Sequence, residues 1–360
     1  MTPPPTDKAP QRVLHLHFGT DGGAERFFVN LVNAFGERGL QQRFIIRPQR
    51  PWRKEIAHLG PITEHHYRLL SLSSLGLHRH VRRLCHTWQP DVIMGWRPRF
   101  ASRLIPRNTH ALRITRLSNF PPHLRHFGTT DVIVSLSPPV YDACQQLGWR
   151  KPNVVIANFA RSVAPKPVQR QDFGTPADAF LVCGVGRLVS HKGWDLLIRA
   201  VARLPDAWLW LVGDGPERAK LEALAQSEGI ETRTRFIGWM EEPIHYMAAA
   251  SAFAFPTRHE ALGNVVLEAW KAQVPIVATR TDGPSWSIED GKSGLLVDID
   301  DLDGFHAALV RLADNPALAQ RLVVGGTARL KSRFSKKAIV DQYIALFSGD
   351  LPEPMAQPSR

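Results

Sequence analysis

The stretch ASAFAFPTRHEALGNVVLEAWKAQVP, residues 250–275, decides the fold. Its apolar, aromatic beginning predicts a buried strand that ends at Pro256. Its last part has helical character, which a valine-proline step brings to an end. Gly263 or Asn264 suits the N-cap of this helix. The stretch therefore predicts a strand, a loop and a helix in that order.

Two glutamates in this stretch, Glu260 and Glu268, are eight positions apart and fall in different elements. We expect Glu260 in the loop and Glu268 in the first turns of the helix. Between them lie backbone N–H groups and the positive end of a helix dipole, which together make an anion site. Two carboxylates around a phosphate site suggest a ligand with hydroxyls, such as a nucleotide sugar. Either glutamate taken alone is more simply interpreted as a surface residue at the start of a helix.

The composition is that of a soluble globular protein of 360 residues, with 44% hydrophobic and 22% charged residues. This length allows two domains. No apolar run approaches the ~20 residues that span a bilayer, and we expect no signal peptide. Cys85, Cys144 and Cys183 are far apart in sequence. This spacing excludes a disulfide framework and a cysteine zinc site, and it fits a reducing cytosol.

Positive charge is concentrated in the first half of the chain. Residues 1–165 hold 23 Lys or Arg against 9 Asp or Glu, a net charge of +14, whereas the remainder has a net charge of −2. Basic surfaces attract nucleic acid, anionic membranes or acidic substrates. The arginines are scattered among Trp and Leu, without an RNA-binding motif or zinc finger. We expect an anionic membrane surface or phosphorylated acceptor and no nucleic acid, with solubility alone as the simpler alternative.

Strands and helices alternate in two series, which predicts parallel sheets with helices on both faces. The fold class is therefore α/β, with two Rossmann-like domains facing each other across a cleft where ligands bind. The strands predicted in the first series are 12–18, 42–48, 90–96, 110–117, 130–137 and 152–159. The predicted boundaries are a disordered tail at 1–10, an N-terminal domain at 11–160, a linker at 161–179, a C-terminal domain at 180–334, a helix packing back towards the N-terminal domain at 335–348, and a tail at 349–360.

Arg187 and Lys192 lie on the loop that follows the first strand of the second series. Two cations there could hold a diphosphate and stabilise the charge that builds as it leaves, or they could be solvated loop residues. Gly184 and Gly186 begin a pattern like the dinucleotide fingerprint, but the third glycine is missing. An NAD-dependent oxidoreductase is therefore the weaker alternative.

Glycine turns mark further candidate ligand contacts. Gly213 permits a close approach by a ligand or serves a sharp turn. At Gly238 and Trp239 the backbone could meet a nucleobase, while Trp239 could simply be core. Gly22 and Gly23, at the first strand-to-helix turn, would let the backbone approach a phosphate, or they are structural.

Eleven of the fifteen histidines precede residue 127. His15 and His17 share one face of a predicted strand. His78 and His80 would also share a face if that part of the chain were extended. No carboxylate or cysteine stands at metal-ligand spacing from them. We therefore expect core or surface roles for the histidines, and no metal site.

Five ordered segments within residues 184–297 resemble the C-terminal half of the retaining GT-B glycosyltransferases of family 4. These segments are VGRLVSHKGWDLLIRA, LVGDGPERAKLEALAQSEGI, RFIGWM, RHEALGNVVLEAW and PIVATRTDGPSWSIEDGKSGLLV. The N-terminal half is more weakly similar, through GGAERFFVNLV and VIVSLSPPVYDACQQLGW. The wording EALGNVVLEAW resembles the lipopolysaccharide-core branch of the family.

The resemblance implies roles for individual residues. Glu268 matches the glutamate that holds the nucleotide ribose, and Glu260 the one near the donor sugar. Arg187 and Lys192 match the pair that binds the diphosphate. The glycines that match the loop over the phosphates are Gly22 and Gly23. The backbone amides implied to lie against sugar and phosphate are those of Ala261, Leu262, Gly263 and Asn264.

The resemblance also implies an activity and a place in the cell. A hexose-type sugar would move with retention from a UDP or GDP donor to lipopolysaccharide core or a related glycolipid. No cofactor and no metal would be needed, because the cations replace the metal. The glycolipid acceptor suits a cytoplasmic protein that is peripheral on the inner face of the membrane. The alternative within this fold is a non-catalytic binding protein.

Two departures from the family pattern stand out. Many members have a histidine in the N-domain loop where this chain reads SNFPPH, so Asn119 or His123 would stand in for it. Many members also have an acidic residue where this chain has Ser285, Trp286 and Ser287. This second departure leaves the donor sugar open.

Overall fold

The computed structural model of the chain describes residues 12–19, 22–67, 72–96 and 98–351. The predicted tail at 1–10, and most of the one at 349–360, lie outside these residues. The chain forms two compact units. The first contains the described residues up to Phe159 and those from Lys336 onward, and the second is Ala160–Ser335.

The first unit is built on a parallel sheet. Its strands within the described residues are β1 (Arg12–His17), β2 (Gln41–Ile46), β3 (Ile62–Glu64), β4 (Val92–Trp96), β5 (Leu112–Leu117), β6 (Val132–Ser135) and β7 (Asn153–Val155). Their order across the sheet is β3-β2-β1-β4-β5-β6-β7. The order reverses between β1 and β4, and such a switch point is where ligands of open α/β sheets bind. Strand β3, at the sheet edge, is one that the sequence analysis did not predict.

Helices cover this sheet. Those that precede the second unit are α1 (Gly23–Glu37), α2 (Arg53–Ile56), α3 (Leu72–Thr87), α4 (Pro98–Leu104) and α5 (Pro138–Gln146). His78 and His80 lie on α3, so an extended conformation is wrong for them. The Nδ1 atom of His78 lies 2.7 Å from the carbonyl oxygen of Ser74, four residues earlier on the same helix.

His15 and His17 are core residues of the first unit, and both are buried. The His15 ring is stacked with the rings of Phe35 and Phe44, and its Nε2 lies 3.0 Å from the side-chain oxygen of Gln42. Burial lowers the pKa of His15 to about 3, because charging the ring would cost its hydration. Of the core and surface roles predicted for the histidines, the core role is therefore the one that His15 and His17 have.

The second unit has its own parallel sheet. Its strands are β8 (Leu181–Val185), β9 (Trp208–Val212), β10 (Thr234–Gly238), β11 (Ala252–Phe255), β12 (Ile276–Thr279) and β13 (Leu295–Val297). Their order is β10-β9-β8-β11-β12-β13. The order reverses between β8 and β11, which places this sheet's switch point at their carboxyl ends.

The helices of the second unit pack on both sides of its sheet. They are α6 (Trp194–Ala202), α7 (Arg218–Ser227), α8 (Ile244–Met247), α9 (Asn264–Lys271), α10 (Asp282–Ser287), α11 (Leu302–Asp314) and α12 (Pro316–Arg333). Neither α11 nor α12 was predicted from the sequence. Helix α11 joins the core through Phe305 and Leu309, both fully buried.

The last helix, α13 (Lys336–Phe347), belongs to the first unit. Its Tyr343 ring meets the Phe35 ring of α1 edge-on at 5.6 Å. Arg116, buried on β5, donates a 2.9 Å hydrogen bond to the Tyr343 hydroxyl. Aromatic packing and one buried hydrogen bond thus hold α13 against the first unit.

The segment 161–179, predicted as a linker, is anchored to the second unit. Arg170 donates hydrogen bonds to the carbonyls of Ala249 and Ala179, each 2.8 Å long. The Phe173 ring lies 4.9 Å from the Trp210 ring. The sequence predicted a free linker because a composition rich in proline and polar residues does not reveal such tertiary contacts.

No helix within the described ranges is both long and apolar enough to cross a membrane.

Candidate active site

The candidate site of the second unit lies where two neighbouring strands end. Strands β8 and β11 pair in parallel, with Val182 opposite Ala252, so the loops that follow them emerge at the same edge of the sheet. We call residues 186–193 the β8 loop and residues 256–263 the β11 loop. The fold thereby brings together side chains that are nearly seventy residues apart in sequence.

Lys192 and Glu260 form an ion pair between these two loops. The Lys192 ammonium donates a 2.6 Å hydrogen bond to Glu260 Oε2, and the two side chains are 17% and 22% exposed. The ammonium also lies 5.2 Å from the centre of the Phe255 ring. A partly buried, charge-assisted hydrogen bond of this length is among the stronger ones.

Backbone contacts shape the β8 loop. Gly186 N–H donates to the Val212 carbonyl at 3.0 Å, and Leu188 N–H donates to the Asp214 carbonyl at 3.0 Å. A Cβ on Gly213 would lie 2.0 Å from the Gly186 oxygen. The close approach that Gly213 permits is therefore to the chain itself, and its contact with a ligand stays a prediction. The Arg187 side chain is exposed.

The β11 loop leads into α9, as the sequence predicts. Gly263 is the N-cap with a φ of 82°, and Asn264 is the first helical residue. Helix α10 supports the loop, because Gly283 N–H donates to the Glu260 carbonyl at 2.9 Å. A Cβ on Gly283 would lie only 2.5 Å from Leu262 Cα. Ala261 and Leu262 are themselves buried.

Arg258 connects the two loops, a role that the sequence analysis missed. Its guanidinium donates to both carboxylate oxygens of Asp195, at 2.9 and 2.8 Å. It also donates to Asp300 at 2.6 Å. The hydrogen bonds to Asp195 and Asp300 raise the pKa of Arg258 above its ordinary value. Burial alone would raise the pKa of Asp195, but the hydrogen bonds and charge of Arg258 lower it below its usual range.

Glu268 is buried on α9, in a cluster of charged residues. Burial raises the pKa of Glu268 to about 7. The positive charges of Arg161 and Lys271 oppose this rise, and the negative charge of Glu242 adds to it. Arg161 donates to Glu242 at 3.1 Å, and Lys271 donates to the Arg161 carbonyl. Burial lowers the pKa of Lys271. Of this cluster, only Glu268 was predicted from the sequence, and its charged neighbours were not.

Gly238 is the last residue of the edge strand β10, and Trp239 follows it. Gly238 has a φ of 85°, and its carbonyl accepts a 2.8 Å hydrogen bond from Gly213 N–H. Trp239 is 68% exposed, so the core alternative is wrong for it. Contact of this segment with a nucleobase stays a prediction.

Four of the residues predicted to belong to the site lie in the first unit, namely Gly22, Gly23, Asn119 and His123. Gly22 is the N-cap of α1, and Gly23 is its first residue. Glu25 is buried in the first turn, and a Cβ on Gly22 would lie 3.3 Å from its carboxylate. Because a carboxylate near a helix N-terminus balances the helix dipole, Glu25 partly neutralises the end where a phosphate was predicted. This role of Glu25 was not predicted from the sequence.

The two candidate stand-ins for the family histidine lie in the loop after β5. Asn119 is exposed, and its side-chain oxygen accepts a 2.8 Å hydrogen bond from Phe120 N–H. His123 is half-buried, with its ring centre 4.7 Å from that of His126. The His123 Nδ1 atom is buried without a hydrogen-bond partner. Neither residue is thereby assigned the role of that histidine.

The segment of the second departure from the family pattern is partly packed into the core. Trp286 is 4% exposed on α10, and its ring meets the Phe334 ring at 5.5 Å. Ser287 is buried and donates to the Gly283 carbonyl at 3.0 Å, whereas Ser285 is exposed. Where many family members have an acidic residue, this chain thus has two buried residues, Trp286 and Ser287, beside the exposed Ser285.

Among the residues that the structure describes, no group of three or more His, Cys, Asp or Glu side chains is arranged to hold a metal ion.

Comparison with known proteins agrees with this geometry. Two parallel-sheet α/β units, with the candidate site at strand carboxyl ends, match the GT-B fold. Anabaena HepE, solved in complex with UDP, superposes with a TM-score of 0.82 over 94% of this chain and all of its own, at 21% identity.

The sequence relatives define the family. Residues 165–329 match the family described as glycosyl transferases group 1. The lipopolysaccharide core biosynthesis glycosyltransferase LpsD of Rhizobium meliloti (strain 1021) is 47% identical over 93% of this chain and 98% of its own length. LpsE of the same strain, which carries the same description, is 44% identical over 94% and 99%. The chain belongs to the group 1 glycosyltransferase family, which leaves no basis for the oxidoreductase alternative.

Proposed function

We propose that this glycosyltransferase moves a hexose-type sugar, with retention, from a UDP or GDP donor to lipopolysaccharide core or a related glycolipid. The observation that carries the proposal is the Lys192–Glu260 ion pair, 2.6 Å long, at the switch point of the second sheet. This pair offers a cation for a phosphate beside a carboxylate for sugar hydroxyls. The 47% identity to LpsD supports the choice of acceptor, and the HepE complex with UDP supports a nucleotide donor.

Each donor contact follows from the chemistry of the group that makes it. Arg187 and Lys192 bind the diphosphate, because cations pair with phosphate oxygens. Glu268 accepts hydrogen bonds from the ribose hydroxyls, and Glu260 orients the hydroxyls of the donor sugar. The further donor-binding residues in the proposal are Gly22, Gly23, Gly213, Gly238, Trp239, Ala261, Leu262, Gly263 and Asn264.

The reaction breaks the bond between the anomeric carbon and the diphosphate oxygen, which keeps the electron pair. The acceptor hydroxyl oxygen bonds to the anomeric carbon from the same face, and its proton passes to the departing phosphate oxygen. Arg187 and Lys192 stabilise the negative charge that grows on this oxygen. With the charge held by side chains, the reaction uses no metal and no cofactor.

The acceptor is met at an anionic membrane surface on the cytoplasmic side. Helix α3 supports this part of the proposal, because Arg79, Arg82 and Arg83 are all exposed on it. Leu75, on the same helix, is 58% exposed. Exposed cations and an apolar side chain on one helix suit peripheral attachment to anionic lipid. No nucleic acid is involved.

The test of the donor site is a thermal-shift panel with UDP, GDP, ADP and NAD in the presence of EDTA. The proteins compared are the wild type, Glu268→Ala and the control Glu231→Ala, which changes an exposed glutamate of the same unit. We expect one nucleoside diphosphate to raise the melting temperature of the wild type and the control but not of Glu268→Ala. A shift that needs added metal, or one unaffected by Glu268→Ala, would contradict the proposed site.

Transfer itself is tested with the matching nucleotide sugar and lipopolysaccharide core as acceptor. Product with the same anomeric configuration as the donor is expected. Nucleotide binding without transfer to any glycolipid acceptor would indicate the non-catalytic binding protein instead.

A further inference from the structure

Arg258 lies where the two loops of the candidate site meet, two residues before Glu260. Its backbone N–H donates to the His191 carbonyl at 2.7 Å. Its guanidinium Nη1 donates to the Ser190 carbonyl at 2.7 Å. These carbonyls belong to the two residues that precede Lys192. Arg258 therefore binds the β8 loop immediately before Lys192.

The guanidinium is fixed in its turn by two carboxylates. Asp195, in the first turn of α6, accepts from both Nη atoms, and Asp300, just before α11, accepts from Nε. The planar fork of an arginine matches a carboxylate in a way that a lysine ammonium cannot. The side chain thus has one defined orientation towards the β8 loop.

Two further contacts join the loops at the same place. The Thr257 hydroxyl donates to the His191 carbonyl at 3.2 Å. A Cβ on Gly193 would lie 2.0 Å from the Pro256 carbonyl oxygen, so the two backbones touch. The β8 and β11 loops are thus joined at two places, by the hydrogen bonds of Arg258 and by the Lys192–Glu260 ion pair.

We propose that Arg258 is a positioning residue that sets the separation of Lys192 and Glu260. It does not touch the reacting groups itself, and it acts through the carbonyls of Ser190 and His191. Its consequence for catalysis rests on the proposed function. Since a misplacement of about 1 Å costs about 100-fold in rate, loss of Arg258 lowers kcat while the donor still binds.

The first experiment measures the coupling between Lys192 and Glu260 by a double-mutant cycle. Lys192→Met, Glu260→Gln and the double variant are compared by urea midpoint in three backgrounds: wild type, Arg258→Met and Arg203→Met. The last is the control, because Arg203 makes a 2.6 Å ion pair with Asp303 in the same unit. We expect coupling in the wild-type and Arg203→Met backgrounds and its loss in Arg258→Met. Equal coupling in all three backgrounds would overturn the proposal.

Arg258→Lys provides the same test with the charge retained. If Arg258→Met does not fold, the cycle is run in the Arg258→Lys background. This variant lacks the fork that binds Asp195 and the Ser190 carbonyl together. Retained coupling in the lysine background would then contradict the positioning role.

The second experiment separates kcat from KM. With the donor found by thermal shift, Arg258→Met is expected to lose about 100-fold in kcat with little change in KM, while Arg203→Met keeps both. Wild-type kcat in Arg258→Met would overturn the positioning role. Absence of sugar transfer by the wild type would instead remove the proposed function, and the coupling cycle would still decide whether Arg258 positions the pair.

Discussion

The Lys192 ammonium donates a 2.6 Å hydrogen bond to the Glu260 carboxylate and joins the loops that follow β8 and β11. The two residues are 68 positions apart, and they meet because their strands are neighbours in the sheet. Parallel strands direct all their carboxyl ends to one edge, where loops from distant parts of the chain come together.

Replacing Lys192 with alanine is expected to lower kcat by about 100-fold or more, because a cation that stabilises a leaving group contributes on that scale. The measurement is steady-state sugar transfer. Lys220→Ala is the control, since Lys220 is a 77% exposed lysine of the same unit. Full activity of Lys192→Ala would contradict the proposed role.

The buried Glu268 makes stability depend on pH. Its folded pKa of about 7 lies above the ordinary value of 4.5, so between these values the folded state binds a proton that the unfolded state has lost. The free energy of unfolding therefore falls as pH rises from 4.5 to 7, and the penalty is complete above pH 7. Glu268→Gln should remove this penalty, about 3 kcal/mol at most.

The measurement is urea unfolding of the wild type, Glu268→Gln and the control Glu231→Gln at pH 4.5 and pH 8. Glu268→Gln should gain stability over the wild type at pH 8 and lose most of that gain at pH 4.5. A difference that is equal at both pH values would show that Glu268 ionises normally.

Gly283 is expected to tolerate no side chain. Its Cβ would lie 2.5 Å from the Leu262 backbone, so Gly283→Ala must push α10 away from the β11 loop. Overpacking of this kind costs about 1–3 kcal/mol, which a urea unfolding midpoint will show. Gly128→Ala is the control, because nothing lies within 4 Å of a Cβ there. Equal stability of the two variants would mean that the loop moves freely.

Membrane attachment is expected to depend on α3. Changing Arg79, Arg82 and Arg83 to glutamine should weaken binding to vesicles with anionic lipid by tenfold or more, since each cation contributes about 1 kcal/mol. The measurement is vesicle co-sedimentation at low and high salt, where screening should weaken wild-type binding. The control variant changes three exposed cations of the second unit to glutamine, namely Lys220, Lys292 and Arg321. Salt-independent binding would exclude the electrostatic account.

Much of the architecture could be predicted from local pattern. Short apolar runs closed by glycine or proline predicted most strands of both sheets. The segment 250–275 predicted the β11–loop–α9 order with Gly263 or Asn264 at the N-cap, and the structure has Gly263 there. These features depend on residues close together in sequence, so periodicity and turn chemistry suffice for them. The anchoring of 161–179 was missed because contacts with distant residues decide it. Helices α11 and α12 were missed although local signals mark both, since the side chains of Asp301 and Asn315 cap their first turns.

The sequence by itself determined the two alternating series, the family, and the placement of Lys192 and Glu260 on loops after buried strands. Only the tertiary structure decided which of these groups meet and how they ionise. Arg258 finds Asp195 across 63 positions, and Glu268 acquires a pKa near 7 only inside a packed helix interface. Burial and pairing are properties of the folded surroundings, which local sequence does not encode.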